Sequence, residues 1–262
     1  MDHKRKPKIV VWDLETLPDP WEVYKRLPGY GSWPGRGFNA DIQGILCFGY
    51  KVIGNKKPRC INRWQFDDWD NDHLDDKQIT KAAYDVLHDA DEIVTQNGKK
   101  FDLPLLNTRL SYHGYGPLPR IKHVDTKEIA KKHLSLFSNS LSEIAKHYKL
   151  KEKMQIQNKW DLWYRIARGI NTKKDLKLMS DYCKQDVEVT HLVYDKMKPY
   201  HINSGVNKNF FSDERVCNIC GSKRLKSYGW VYLTTLEYRR YRCLDCLSWI
   251  RTDKKDKNPR AV

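Results

Sequence analysis

The run KIVVWDLET, residues 8–16, is apolar until it ends in two carboxylates, Asp13 and Glu15, spaced two apart. It reads as a buried strand whose end carries chemistry. Strand side chains alternate with a period of two, so both carboxylates point to the same face. Adjacent carboxylates repel, and a fold keeps them together where a cation fills the gap between them. Hard oxygen ligands of this kind suit Mg²⁺ or Mn²⁺. Taken alone, the pair is equally compatible with a solvated strand end.

Two further groups bear on that choice. In Asn97-Gly98-Lys99-Lys100-Phe101-Asp102 a strand gives way to a helix, a usual place for ligand sites in α/β folds. The plain alternative is a turn at Asn97-Gly98 and a helix cap at Asp102. In Tyr182-Cys183-Lys184-Gln185-Asp186 the spacing of four sets Tyr182 and Asp186 on one helix face, one turn apart. A phenol beside a metal-bound carboxylate can orient a water for attack.

Around these groups the pattern predicts strands at 45–53, 60–66, 92–96 and 121–124, and helices at about 77–88 and 102–113. A long helix is expected over about 175–197, with Pro199 ending it. Helix starts are expected at Asp125 with Glu128 and at Ser140 with Glu143, both capping-box spacings. Strands first, then strands alternating with helices, indicate an α/β layer fold with a mixed sheet. The segment 17–44 is rich in Pro, Gly and aromatics. Its Trp21, Tyr24, Tyr30, Trp33 and Phe38 could wedge between bases. His113 and His123 lack ligand spacing and read as ordinary residues, and Asp125 is explained by capping. The organisation expected is a domain over 1–200, a linker over 201–213 and a small module over 214–262.

That module holds four of the seven cysteines, Cys217, Cys220, Cys243 and Cys246, as two C-x-x-C pairs with 22 residues between them. Cys47, Cys60 and Cys183 are scattered. The paired pattern reads as a Cys₄ zinc ribbon with one structural Zn²⁺, and 228–233 and 238–243 as its β-hairpin. A module this small lacks a sufficient core, so metal binding supplies its folding energy. Leu247 stands where a Gly often follows the second pair.

WDLET, NGKKFD and YCKQD, in that order, resemble the three motifs of DnaQ-like DEDD exonucleases. The Tyr four residues before the last Asp resembles the DEDDy branch, found in proofreading domains of family-B DNA polymerases. The histidine of the DEDDh branch would fall at Asp181. FDLPLLNTR also resembles the family-B second motif, and the likeness covers about residues 8–198. The Pro/aromatic loop, SNSLSEIAKHYKL and the Leu162-Trp163 region are similar to stand-alone phage-type exonucleases, which often end in a zinc ribbon. Gln96 departs from relatives, which often carry His there.

The resemblance implies an RNase H-like fold, a five-stranded mixed sheet flanked by helices, with the C-terminal zinc ribbon appended. It implies two Mg²⁺ or Mn²⁺ ions about 3.5–4 Å apart. Asp13 would bridge both, Glu15 and Asp186 would hold the ion that activates water, and Asp102 would support the second through solvent. Tyr182 would position the water. Leu14, Thr16, Asn97 and Phe101 are the implied substrate contacts, with Phe101 packed beneath Asp102. The activity implied is 3′–5′ hydrolysis of single-stranded DNA or 3′ DNA ends, by proofreading or DNA processing in trans. The alternatives are a 3′–5′ exoribonuclease and a non-catalytic nucleic-acid-binding adaptor.

Charge fits a polyanionic partner: 48 Lys+Arg face 33 Asp+Glu, with nine Trp and 15 Tyr available for stacking. Segment 146–177 has ten Lys/Arg against three acids and is the expected backbone track, with Trp160 and Trp163 in the core. The module from Glu214 onward has 12 against five, so the ribbon is expected to touch nucleic acid or a replication or recombination protein. No apolar run is long enough to span a bilayer, and MDHKRKPK lacks the apolar stretch of a secretory signal. No membrane partner is therefore expected, and a cytoplasmic location is, the host cytoplasm if the protein is phage-encoded.

Overall fold

In the computed structural model, residues 5–16, 44–66, 75–151, 154–157, 159–167, 169–200, 205–234 and 237–251 are described. The aromatic loop residues between 17 and 43 and the acidic residues 67–74 lie outside them. Strand β1 (Ile9–Thr16) alternates as its sequence requires: Val10, Trp12 and Leu14 enter one core cluster, Ile9 and Val11 the other. β2 (Ile45–Val52) and β3 (Arg59–Asn62) extend the sheet antiparallel on one side. β4 (Glu92–Thr95) and β5 (Lys122–Asp125) add parallel strands on the other, giving the order β3-β2-β1-β4-β5.

Helices α1 (Lys77–Leu87) and α2 (Asp102–Tyr112) cover the face of Trp12, through Ile79, Ala83, Leu87, Leu106 and Leu110. α3 (Thr126–His133), α4 (Leu141–His147) and the long α6 (Lys173–Met197) cover the opposite face. α5 (Lys159–Ala167) packs Leu162, Trp163 and Ile166 against Met179, Tyr182 and Cys183 of α6. This is the five-stranded mixed sheet flanked by helices that the motifs imply. Trp163 is in the core as expected; the Trp160 side chain lies outside the description.

Two local devices aim α6 at the end of β1. The first is its start, where Thr172 and Asp175 cap each other's backbone N–H and Arg165 binds the Asp175 carboxylate at 2.6 Å. The second is Gly49, which pairs with Asp13 across the β1–β2 ladder. A Cβ there would stand 2.7 Å from Cys183 Sγ and 3.0 Å from Val187. The missing side chain lets α6 press against the sheet beside Asp13.

Some expectations shift in detail. The strand expected over 60–66 stops at Asn62, because Asn62 N–H donates to Gln65 Oε1 at 2.9 Å and closes a 3₁₀ turn at Arg63–Gln65. Asp125 caps α3 by accepting from Lys127 N–H at 3.0 Å, while Glu128 pairs with Lys99 at 2.6 Å instead of completing a capping box. Ser140 accepts from Glu143 N–H at 3.3 Å. Asp76, the last of the acidic stretch, is buried and saturated. It binds Arg109 (2.6 Å), His113 Nε2 (2.6 Å) and Ile45 N–H (2.8 Å), tying α1, α2 and the start of β2 together.

The C-terminal part forms a second sheet, β6 (Leu225–Tyr232), β7 (Glu237–Cys243) and β8 (Trp249–Arg251), antiparallel throughout. It is fastened to the first. Glu92, fully buried at the start of β4, accepts from Tyr194 Oη (2.7 Å), Val206 N–H (2.8 Å) and Lys208 Nζ (3.2 Å). Ser248 donates to the Lys198 carbonyl at 3.2 Å, joining the second cysteine pair to the end of α6. No helix among the described residues is long and apolar enough to cross a membrane.

Candidate active site

Asp13 and Glu15 leave β1 on the face covered by α6, as their spacing requires. Asp186, on the buried side of α6, meets them there: one carboxylate oxygen from each of the three lies within 4.8 Å of the others. At that separation each charged pair repels by roughly 3 kcal/mol at an effective dielectric of about 20. A divalent cation among them removes the repulsion and matches their hard-oxygen chemistry. The donor set therefore fits Mg²⁺ or Mn²⁺.

Asp102 joins this group through the backbone. β4 pairs with β1 only over Ile9–Val11, so farther along β1 that edge carries no strand partner among the described residues. There Leu14 N–H, on the peptide between Asp13 and Glu15, donates to Asp102 Oδ1 at 3.1 Å. Asp102 is the first residue of α2, where the helix dipole favours a carboxylate. Burial pushes its carboxyl up to about 6, against the pull of Leu14 N–H and its own N–H.

The turn that delivers Asp102 is built tightly. Asn97 takes a left-handed φ of 70°, and its N–H donates to Asp125 Oδ1 at 2.8 Å, with Lys99 N–H on Oδ2 at 3.2 Å. A Cβ on Gly98 would meet the Thr95 side chain at 2.5–2.7 Å, so no larger residue fits. Gln96 is bonded to the Asn139 carbonyl (3.0 Å) and to Thr126 Oγ1 (2.5 Å). It braces the turn from behind. Asp125 thus serves the turn and the α3 cap, and His123 bonds Thr95 Oγ1 at 2.8 Å, its burial pulling the imidazole down to about 4.

Tyr182 is buried one turn before Asp186, edge-on to Trp163 with ring centroids 5.8 Å apart. It also lines a cavity of about 500 Å³ with Ser140, Leu141, Ser142, Met154, Gln155 and Ile156. Of the implied substrate contacts, Thr16 is half-buried where β1 pairs with Ile45. The Leu14 side chain sits in the core on the other face of the sheet. Phe101 is 62% exposed at the head of α2, so it does not pack beneath Asp102. What sequence reading missed is the gathering of distant cysteines: Cys47 and Cys60 both donate to Asn62 Oδ1 (3.4 and 3.1 Å), and Cys183 Sγ lies 4.0 Å from the Asp13 carbonyl. Only a strand register not legible in advance would have shown it.

A second donor cluster has a different character. The sulfurs of Cys217, Cys220, Cys243 and Cys246 all lie within 4.8 Å of one another, with Cys217–Cys246 at 3.7 Å and Cys220–Cys243 at 3.6 Å. Four thiolates at a Zn–S distance of about 2.3 Å form a tetrahedron with edges of about 3.8 Å. The cluster fits that ion. Each pair closes on a left-handed residue, Gly221 (φ 80°) and Leu247 (φ 61°), so the turn geometry is kept where Gly is absent. A third group, Asp75, Asp76 and His113, is equally close, but the Asp76 oxygens already hold the Arg109 guanidinium.

A family model described as the RNase_H superfamily matches residues 36–198. No curated protein matches the chain by sequence. Among solved structures, the chain is similar to the family B DNA polymerase from the hyperthermophilic archaeon Pyrobaculum calidifontis, at 15% identity and a TM-score of 0.53. The match covers 80% of this chain and 28% of the polymerase chain. At that identity the likeness concerns the fold.

Proposed function

Because this chain belongs to the RNase H superfamily, we propose that it is a metal-dependent 3′–5′ exonuclease of the DEDDy kind, acting on single-stranded DNA. The observation that carries the reading is the convergence of Asp13, Glu15 and Asp186 from two distant elements within 4.8 Å. Asp102 is hydrogen-bonded to the peptide between the first two. Three motifs far apart in sequence thus meet at one point, and the fold sits among nucleases.

Divalent cations held there supply Lewis acidity at the scissile phosphate and lower the pKa of a bound water. The chain's own part is to place the groups. Asp13, Glu15 and Asp186 are the cation ligands, and their position is set by the β1 face and by the close approach of α6 at Gly49. Asp102 holds the β1 backbone between the ligands in register and adds negative charge on the second side. Tyr182, locked by its contact with Trp163, orients the attacking water by hydrogen bonding through its phenol. The cavity beside it receives the 3′-terminal nucleotide. Cys217, Cys220, Cys243 and Cys246 bind the structural zinc.

Digestion of a 5′-labelled single-stranded DNA with Mg²⁺ or Mn²⁺, beside the matched RNA, tests this reading. A ladder shortening from the 3′ end, faster on DNA and absent with Asp13→Asn, is expected. Internal cuts on a circular single strand, faster loss of RNA, or intact substrate in every lane would overturn it.

A further inference from the structure

The C-terminal sheet has two unlike faces. Cross-strand register puts Leu225 opposite Cys243 and Tyr241 opposite Ile250, and these side chains pack with Cys217 and Ile219 around the cysteine cluster. The same register puts Lys226 opposite Arg242, Arg242 opposite Trp249, and Arg240 opposite Arg251 on the outward face. Tyr228, two residues beyond Lys226, takes the same outward face by alternation, ahead of the register shift between Ser227 and Trp230. Tyr228 meets Trp249 edge-on at 5.1 Å.

This face is costly as built. Lys226–Arg242 and Arg240–Arg251 are like charges directly opposed across strands, an arrangement that destabilises a sheet. None of the four forms an ion pair with a carboxylate among the described residues. Instead they lean on rings: Arg240 and Arg242 lie 5.3 Å from the Trp249 centroid, and Lys226 lies 5.4 Å from that of Tyr228. Trp249 and Tyr228 are nonetheless about two-fifths exposed, at 40% and 39%. A face that combines unneutralised cations with open aromatic rings matches a polyanion that also carries flat bases.

We propose that the outward face of β6–β8, centred on Lys226, Tyr228, Arg240, Arg242, Trp249 and Arg251, is a binding platform for single-stranded DNA, separate from the acidic site. The cations neutralise phosphates, and bases stack on Trp249 and Tyr228. Single strands fit better than duplex because only unpaired bases offer their faces to the rings. An acidic peptide would satisfy the cations and leave the rings idle. The platform goes beyond the proposed exonuclease reading and does not depend on catalysis, since it needs neither Asp13 nor Tyr182.

The test uses the full, zinc-loaded chain without Mg²⁺ or Mn²⁺ and a fluorescent oligo-dT, read by anisotropy across a salt series. Trp249→Ala is expected to weaken binding by about tenfold or more, with Trp249→Phe retaining most of it. Arg240→Ala with Arg242→Ala is expected to lower the slope of log K against log salt by about 1.4, two phosphate contacts at about 0.7 each. Zinc content, and hydrolysis of p-nitrophenyl thymidine 5′-monophosphate in a separate assay with Mn²⁺ added, which reaches only the acidic site, are expected to stay at the wild-type level. Unchanged oligo-dT affinity in zinc-replete variants overturns the proposal. So does competition by polyglutamate or by duplex DNA as effective as that by oligo-dT. If the small ester is not hydrolysed by any form while oligo-dT binding still depends on Trp249, the exonuclease reading fails and the platform stands.

Discussion

The two donor clusters of this chain solve opposite problems. Four cysteine sulfurs are spaced as the corners of a tetrahedron and would leave a cation no free position. Such a shell is closed, and its ion serves folding. Three carboxylates from β1 and α6 offer one hard oxygen each, fewer than the six a Mg²⁺ or Mn²⁺ shell takes. Their shell is open to water and phosphate, which is what hydrolysis requires. The supports differ to match. The sulfurs lie on knuckles of a small sheet with few core residues of its own, whereas the carboxylates lie on elements anchored in two large core clusters. On the proposed reading a metal builds the first region, and the fold builds the second.

The largest effect should separate the two. Cys243→Ser removes a ligand from a site whose metal supplies folding energy, on the order of 10 kcal/mol in comparable structural sites. Loss of the zinc, by elemental analysis, and of β signal from the C-terminal sheet is expected, while the p-nitrophenyl ester is still cleaved. A variant that keeps one equivalent of zinc would break the comparison. Next in size, Asp186→Asn should lower kcat by at least about a thousandfold. Its thermal midpoint should not fall, since the change relieves repulsion among the carboxylates. A large loss of stability would mean that Asp186 belongs to the core and not to an open site.

Tyr182→Phe keeps the ring against Trp163 and removes only the phenol oxygen, so about a hundredfold loss in kcat is expected. Unchanged kcat in single-turnover kinetics would remove the tyrosine from the site and leave it as core. Smallest is Leu247→Gly. Leu247 is 51% exposed and holds φ 61°, so removing its side chain relieves left-handed strain at little loss of burial. A gain of about 1 kcal/mol in ribbon stability is expected, read as tighter zinc retention against a chelator. A loss would show that the exposed side chain contributes packing.

Much of the carboxylate site was legible because it rests on periodicity. Asp13 and Glu15 share a face by strand parity, and Asp186 follows Tyr182 by one helical turn. Those rules hold whatever the rest of the chain does. What escaped depends on partners distant in sequence. Glu92 read as the plain start of a strand, yet it is a fully buried carboxylate holding Tyr194, Val206 and Lys208, all more than 100 residues away. Asp76 has no motif to set it apart from the acids before it in sequence, and burial with Arg109 and His113 makes it structural. Strand β8 is three residues long, too short for alternation to declare it. Gly49 carried no local turn signal; its reason is the approach of α6, 134 residues later at Cys183.

The central claim is that the open carboxylate cluster holds a cation which touches the phosphate being cleaved. Sulfur substituted for one non-bridging oxygen of the 3′-terminal linkage tests it, with the two diastereomers assayed separately in Mg²⁺ and in Mn²⁺. Mg²⁺ binds sulfur poorly and Mn²⁺ tolerates it better. The expected result is that one diastereomer is cleaved at least about tenfold more slowly in Mg²⁺ and recovers in Mn²⁺. Equal rates for sulfur and oxygen in both metals, or cleavage that persists without any added divalent ion, would contradict it.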